Sequence, residues 1–241
     1  MKKILFSIVL LSTFSANAQQ FINSGMIEYE VRINNHRMFG DGLWAEMYKD
    51  KMPNFSTTYY HLTFNDNKTI YKFDRLNEKD KLPWNTYADE NVWYNDLNSN
   101  TRISQKLVFG ETYILSDSLL KLDWKLMPNE TREIAGFNCR KAQAVIFDSV
   151  YVFAFYTDEI TASGGPMGIH GLPGMIMGIT IPRMFTSWIA TKLQVNGVNT
   201  NIIAAPTKGK KKPATELEAS VKKATKDWGT WGQQSVWNIF L

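Results

Sequence analysis

The chain has 241 residues, 44% of them hydrophobic and 21% charged, which excludes disordered, collagen-like and coiled-coil classes. One Cys excludes an internal disulfide scaffold and a thiolate zinc cluster, since each needs several sulfurs. The formal net charge of +4 is local: Lys2 and Lys3 open the chain, and residues 207–226 hold seven Lys against Glu216 and Glu218, so residues 19–206 stay near neutral and carry no nucleic-acid footprint.

Met1-Lys2-Lys3 is a short basic region, residues 4–11 are apolar apart from Ser7, and Ala16-Asn17-Ala18 places small residues where a signal peptidase reads. This predicts a signal peptide over 1–18 and an exported protein, periplasmic in the first instance and extracellular in the second. No Cys follows the small residues, so the pattern is not that of a lipoprotein. No later run reaches the ~18 apolar residues of a membrane-spanning helix.

Residues 26–33 alternate, with Ile27, Tyr29, Val31 and Ile33 on one side and Glu28, Glu30 and Arg32 on the other, the period of a half-buried strand. Residues 55–64 and 69–73 are rich in Thr, Tyr and Phe, and Asn65-Asp66-Asn67 between them predicts a hairpin. Further strands are expected at 101–108, 112–115, 137–147, 150–156, 175–181 and 184–195, with tight connections at 147–149 and at Pro182-Arg183. Short strands with few helical windows predict a mostly β fold, a curved antiparallel sheet or open half-barrel. Residues 34–53 and 76–100 read as long connections or short helices over that sheet.

Residues 207–241 form a separate segment. Lys208 to Pro213 reads as a charged linker, and Thr215-x-x-Glu218 matches a capping box. Leu217, Val221, Ala224 and Trp228 fall on one helical stripe, which predicts a short amphipathic helix over 215–227 docked on the β-rich domain 19–206. Trp228, Trp231, Trp237 and Phe240 then need burial or a partner.

The unusual stretch lies between the strands at 150–156 and 175–181. Residues 164–174 hold five Gly and two Pro in eleven positions. Gly allows positive φ and close backbone approach, whereas Pro fixes φ. Leu172-Pro173-Gly174-Met175 predicts a type II turn. The segment is apolar, unlike a flexible linker, and its spacing does not match a phosphate loop.

Gly171-Leu172-Pro173-Gly174-Met175-Ile176 resembles the signature of the GLPGLI family, with Met175 in place of the second Leu. Gly25 to Glu30 resembles that family's opening strand. Trp124-Lys125-Leu126 and Ile134 to Ala142, with Cys139, resemble its central segment. Ala154 to Ile160 followed by Gly165-Pro166 resembles the approach to the hexapeptide, with Phe155 where the family has Trp. The resemblance covers roughly residues 25–195. It implies an exported β-rich protein of Bacteroidetes-type bacteria without an established activity, often encoded near outer-membrane TonB-dependent receptors, and it transfers no catalytic residue.

The same stretch carries the chain's candidate chemistry. Ser163, His170 and Asp158 form the best available hydrolase set, but no Gly-x-Ser-x-Gly elbow surrounds the Ser. Met167, His170, Met175 and Met177, with Cys139, could supply soft ligands for Cu(I). Cys139 also fits a strand as a small buried hydrophobe. The leading expectation is a non-enzymatic accessory or binding protein of the cell envelope, with no cofactor, no catalytic residue and no metal. Its docking loop comprises Gly165, Pro166, His170, Gly171, Leu172, Pro173, Gly174, Met175 and Ile176, and its expected partner is an outer-membrane receptor or another envelope protein. The alternative is a periplasmic carrier of an apolar ligand.

Overall fold

The computed structural model describes residues 21–40, 42–80, 91–147 and 149–241. The predicted signal peptide, and residues 81–90 of the connection expected over 76–100, lie outside them. The protein is a curved, open, mostly β fold with helices at its C-terminal end. In chain order its strands are β1 (Ser24–Asn34), β2 (Phe55–Asn65), β3 (Lys68–Leu76), β4 (Val92–Asp96), β5 (Thr101–Val108), β6 (Glu111–Ser118), β7 (Lys125–Ile134), β8 (Phe137–Ile146), β9 (Val150–Thr157), β10 (Met175–Ile181), β11 (Thr186–Gln194) and β12 (Lys210–Lys211). The helices are α1 (Asn35–Phe39), α2 (Leu43–Tyr48), α3 (Ala214–Ala224) and α4 (Thr230–Phe240).

One sheet holds all twelve strands in the order β12-β6-β5-β4-β3-β2-β1-β11-β10-β9-β8-β7. Every pairing is antiparallel except β12 on β6. The chain winds outward from central β1 to β6, crosses to the far edge at β7, and returns through β8 to β11, which pairs with β1.

That crossing forces the curvature. β6 and β7 stand ten positions apart in the order, about 48 Å in a flat sheet with strands ~4.8 Å apart. The link between them is residues 119–124, which reaches about 25 Å when fully extended. The two ends of the sheet must therefore curl toward each other, and the link spans the seam. Trp124 fixes the link by donating its indole N–H to the His170 carbonyl at 2.9 Å.

Alternation in β1 resolves as expected: Ile27, Tyr29 and Val31 are buried, while Glu28, Glu30 and Arg32 face outward. Across the sheet, Ile27 stands opposite Leu62, Leu62 opposite Tyr71, and Tyr71 opposite Trp93. These side chains build the main core with Ile176, Ile179 and Trp188. A smaller cluster joins Val108 and Leu115 of the sheet to Leu217, Val221 and Val236 of the helices.

The C-terminal segment departs from its sequence reading. Helix α3 starts at Ala214, with Pro213 as its cap residue, no side-chain capping bond, and the Pro213 carbonyl accepting from Leu217 N–H at 3.1 Å. The expected capping box does not form, because the helix begins at Ala214 with Pro213 at the cap position, which places Thr215 inside the first turn. The helix ends at Ala224, and Ala224 and Trp228 of the predicted stripe are exposed. Thr225 is buried instead, its hydroxyl bonded to the Val221 carbonyl at 2.9 Å. Gly232 then lets α4 pack on Thr225, where a Cβ would lie 2.3 Å from the carbonyl oxygen. The aromatic tail is thus a second helix, with Trp237 buried and Trp231 left outside.

Candidate functional site

Residues 158–174 fold back into the half-barrel rather than standing away from it. Met175 N–H bonds to the Ile160 carbonyl at 3.2 Å and Ile176 N–H to the Gly164 carbonyl at 2.8 Å. The Tyr29 hydroxyl donates to the Ile176 carbonyl at 2.5 Å, and Asn95 Nδ2 to the Gly168 carbonyl at 2.8 Å. The first two bonds hold the loop to the start of β10, the third ties β10 to β1, and the fourth ties the loop to β4. Gly165, Pro166, Leu172, Gly174, Met175 and Ile176 of the expected docking loop are consequently buried. Gly171 and Pro173 are exposed and His170 is partly so, and these three form the loop's outer knuckle.

The tip is tighter than a type II turn. Gly174 N–H bonds to the Leu172 carbonyl at 2.8 Å across Pro173, a three-residue turn, which leaves Met175 N–H free to reach Ile160. Gly174 has φ +122°, and a Cβ there would lie 2.0 Å from the Thr157 carbonyl oxygen. Only glycine fits that approach.

The proposed reactive sets are dispersed into structural bonds. The Ser163 hydroxyl donates to the Leu172 carbonyl at 3.0 Å and accepts from Gly171 N–H at 3.1 Å, so it staples the turn. The His170 Nδ1 lies 3.3 Å from the Gly168 carbonyl oxygen. Burial holds the His170 pKa below its ordinary value, and the nearby Arg102 charge pushes the same way. Asp158 pairs with Arg140 at 2.5 Å on the outer surface.

Of the soft ligands, Met175, Met177 and Cys139 are fully buried core residues. The Cys139 thiol points to the Phe137 carbonyl, and burial pushes its pKa up to about 12. Met167 is 6% exposed and faces a cavity. Among the described residues, the His, Cys, Asp and Glu side chains close enough to share an ion are Glu28, His61 and Asp74, none of them in the expected set. Arg75 and Thr191 already bond Glu28, at 2.8 and 2.9 Å, as part of a cross-strand ladder.

The seam holds what the sequence reading missed. A cavity of about 430 Å³ lies between Leu120 and Leu122 of the link, Ile146 and Phe147 at the end of β8, and Met167 and Ile169 of the loop. Phe240 and Leu241 close one end, and Arg102 and Lys121 bring two cations to its wall. A second cavity of about 350 Å³ separates α3 from α4 and is lined by polar groups such as Glu218, Lys222 and Gln233.

Beside the seam, β5 carries an unusual buried cation. Lys106 is 1% exposed, donates to the Leu241 main-chain oxygen at 3.0 Å and lies 3.9 Å from the centre of the Trp93 ring. Trp93 Nε1 donates to the same Leu241 oxygen at 2.7 Å. Burial drives the Lys106 pKa well down, and Arg102 adds repulsion. Period-two spacing puts residues 102, 104 and 106 on one face, but a charged face reads as solvated until the helices covering it are known.

No family model matches the chain, and no curated protein matches it in sequence. Two crystal forms of PNGF-II are similar in structure, each with TM-score 0.53 and 16% identity. The alignments cover 81% and 82% of this chain and 32% of the PNGF-II chain, so the protein spans about a third of that relative's length. An uncharacterized conserved protein from Thermus thermophilus aligns at TM-score 0.39 and 5% identity over 78% of this chain and 90% of its own. The likeness to PNGF-II concerns the fold alone.

Proposed function

We propose that the protein is an exported, non-catalytic binding protein of the cell envelope that carries an apolar ligand in the seam of its half-barrel. The observation that supports this is the cavity of about 430 Å³, a volume within the roughly 300–1,000 Å³ typical of small-ligand sites and walled chiefly by Leu, Ile, Met and Phe. The loop between β9 and β10 builds one side of it, which gives the glycine-rich hexapeptide a purpose: it bends the backbone so that Met167 and Ile169 face inward. The Ser163 hydroxyl and the His170 Nδ1 are spent on that bend. The signal-like opening and the GLPGLI resemblance support export. The test is mass spectrometry of solvent extracts from natively purified protein, compared with an Ile169→Trp variant that fills the cavity. An apolar compound enriched in the wild type and reduced in the variant is the expected result; equal extracts from two folded proteins would remove the carrier reading.

A second reading rests on the knuckle. His170, partly exposed, and Gly171 and Pro173, exposed, form a projection held by the Ser163 and Gly174 bonds, which would suit contact with a receptor such as an outer-membrane TonB-dependent one. Pro173→Glu leaves the buried bonds in place, so it tests partner binding separately from folding, by measured affinity for the purified candidate receptor.

A further inference from the structure

The charged side chains of the cavity wall are of one sign. Arg102 and Lys121 contribute to its lining, and no Asp or Glu does so among the described residues. Lys121 is exposed and belongs to the mouth, whereas Arg102 enters from β5 beneath Phe240.

Arg102 is also poorly satisfied. A guanidinium has five N–H donors. The contact made by Arg102 is to the Phe240 carbonyl at 3.5 Å, the long limit of a hydrogen bond. Asp117 stands opposite on β6 and attracts it through space, without an ion pair among the described residues. Burial pulls the Arg102 pKa down. Its neighbour Lys106 is different, being already held by the Leu241 oxygen and the Trp93 ring. Arg102 is half-buried, a charge drawn out of water is costly unless it is paired, and a planar guanidinium suits carboxylate or phosphate oxygens.

We propose that the seam cavity binds a single-chain amphiphile with an anionic head, carboxylate or phosphate monoester. Its head pairs with Arg102 and its chain lies along Leu122, Ile146, Met167 and Ile169. This rests on the carrier reading and adds to it the polarity and position of the ligand's head. Two features argue for this occupant over a neutral one: the two cationic side chains at the wall, and an apolar lining that continues from them.

The experiment is calorimetric titration of the full chain with dodecanoate, dodecyl phosphate and dodecan-1-ol, in wild type, Arg102→Gln, Arg102→Lys and Lys121→Gln. Expected is at least a tenfold preference for an anionic ligand over the alcohol. Arg102→Gln removes the preference, Arg102→Lys keeps part of it, and Lys121→Gln changes affinity by less than about threefold, as for an exposed charge. Which anion binds more tightly identifies the carboxylate or the phosphate source. Dodecan-1-ol binding as tightly as both anions would overturn the anionic head while sustaining the carrier reading. Loss of the preference in Lys121→Gln but not in Arg102→Gln would overturn the role of Arg102. Absence of binding by all three ligands would overturn both readings. If Arg102→Gln does not fold, the wild-type preference together with Arg102→Lys still decides, because an unchanged anion affinity in Arg102→Lys combined with no wild-type preference refutes the pairing.

Discussion

Two glycines of the same hexapeptide differ in what surrounds them. At Gly174 both φ and space are restrictive, with the Thr157 carbonyl 2.0 Å from a Cβ position. At Gly171 φ is +95°, but the nearest atom is Trp124 Nε1 at 3.5 Å, so an added methyl meets only backbone strain. Gly171→Ala should therefore cost about 1–2 kcal/mol and Gly174→Ala more than about 3 kcal/mol, measured by urea unfolding. Equal costs would mean that the Thr157 contact relaxes freely. His170 supplies a pH effect with a definite sign. Its folded pKa lies below the ordinary 6.5, so as pH falls through 6.5 the unfolded chain takes up a proton that the folded one refuses. Stability is thus present above 6.5 and declines below it, at most ~1.4 kcal/mol per pH unit, until the folded group titrates. Urea midpoints at pH 7 and about pH 5.5 should fall less in His170→Asn than in the wild type. Glu28 and Asp96 act in a lower window, since Glu28 is held below 4.5 by its bond to Arg75, and backbone N–H groups of Ser99 and Asn98 with Lys68 outweigh burial at Asp96.

Elements with an internal period were readable from residues alone. β1 shows strict alternation, and β2 and β3 show β-branched and aromatic content around a turn whose Asp66 takes φ +49°. Strands β4 and β7 were not legible, for opposite reasons. In β4, Trp93, Tyr94, Asn95 and Asp96 are all buried: the Leu241 main chain and the loop at Gly168 cover Trp93 and Asn95 on one side, and Lys68 with the turn at Asn98 and Ser99 closes on Asp96 on the other, so no alternation survives. In β7 nearly every residue is exposed and Pro128 interrupts the register between Met127 and Thr131, so the segment looks like a loop. The cavity was illegible for a related reason: its walls come from five separated stretches, and only the six-residue link across the seam brings them together. Helices α3 and α4 are readable in part, since Leu217 and Val221 keep the period but the break at Thr225 depends on Gly232 fitting against its carbonyl. Their attachment is testable. Leu217→Ala removes a side chain 2% exposed between α3 and Leu115, and should cost about 2–4 kcal/mol. Trp231→Ala, at 43% exposed, should cost under about 1 kcal/mol. Hydrogen exchange would place the first loss in α3 and α4, with the amides of β1 and β2 unchanged.

An open half-barrel keeps two free edges, and each is an aggregation risk that closed barrels avoid. One edge is covered by β12, where Lys210 and Lys211 add a two-residue strand to β6 and leave charges outermost. Gly209 makes the approach possible, with φ +140° and a Cβ position 2.8 Å from the Thr112 carbonyl. The other edge is β7, and its protection lies in the strand itself. Pro128 lacks a backbone donor, the bulge between Met127 and Thr131 breaks the ladder, and Glu130 folds back to pair with Lys141 of β8 at 2.6 Å. An incoming strand thus meets an interrupted row of N–H groups and an exposed set of charges that includes Glu133 and Arg132. Replacing Pro128 and Glu130 together with Val restores a donor, removes the charge and raises strand propensity. The double variant should self-associate as concentration rises, giving a mass by light scattering that grows beyond the wild-type value while its circular dichroism stays β-rich. Unchanged mass over the same concentrations would show that the curl of the sheet, and not the sequence of β7, keeps that edge from pairing.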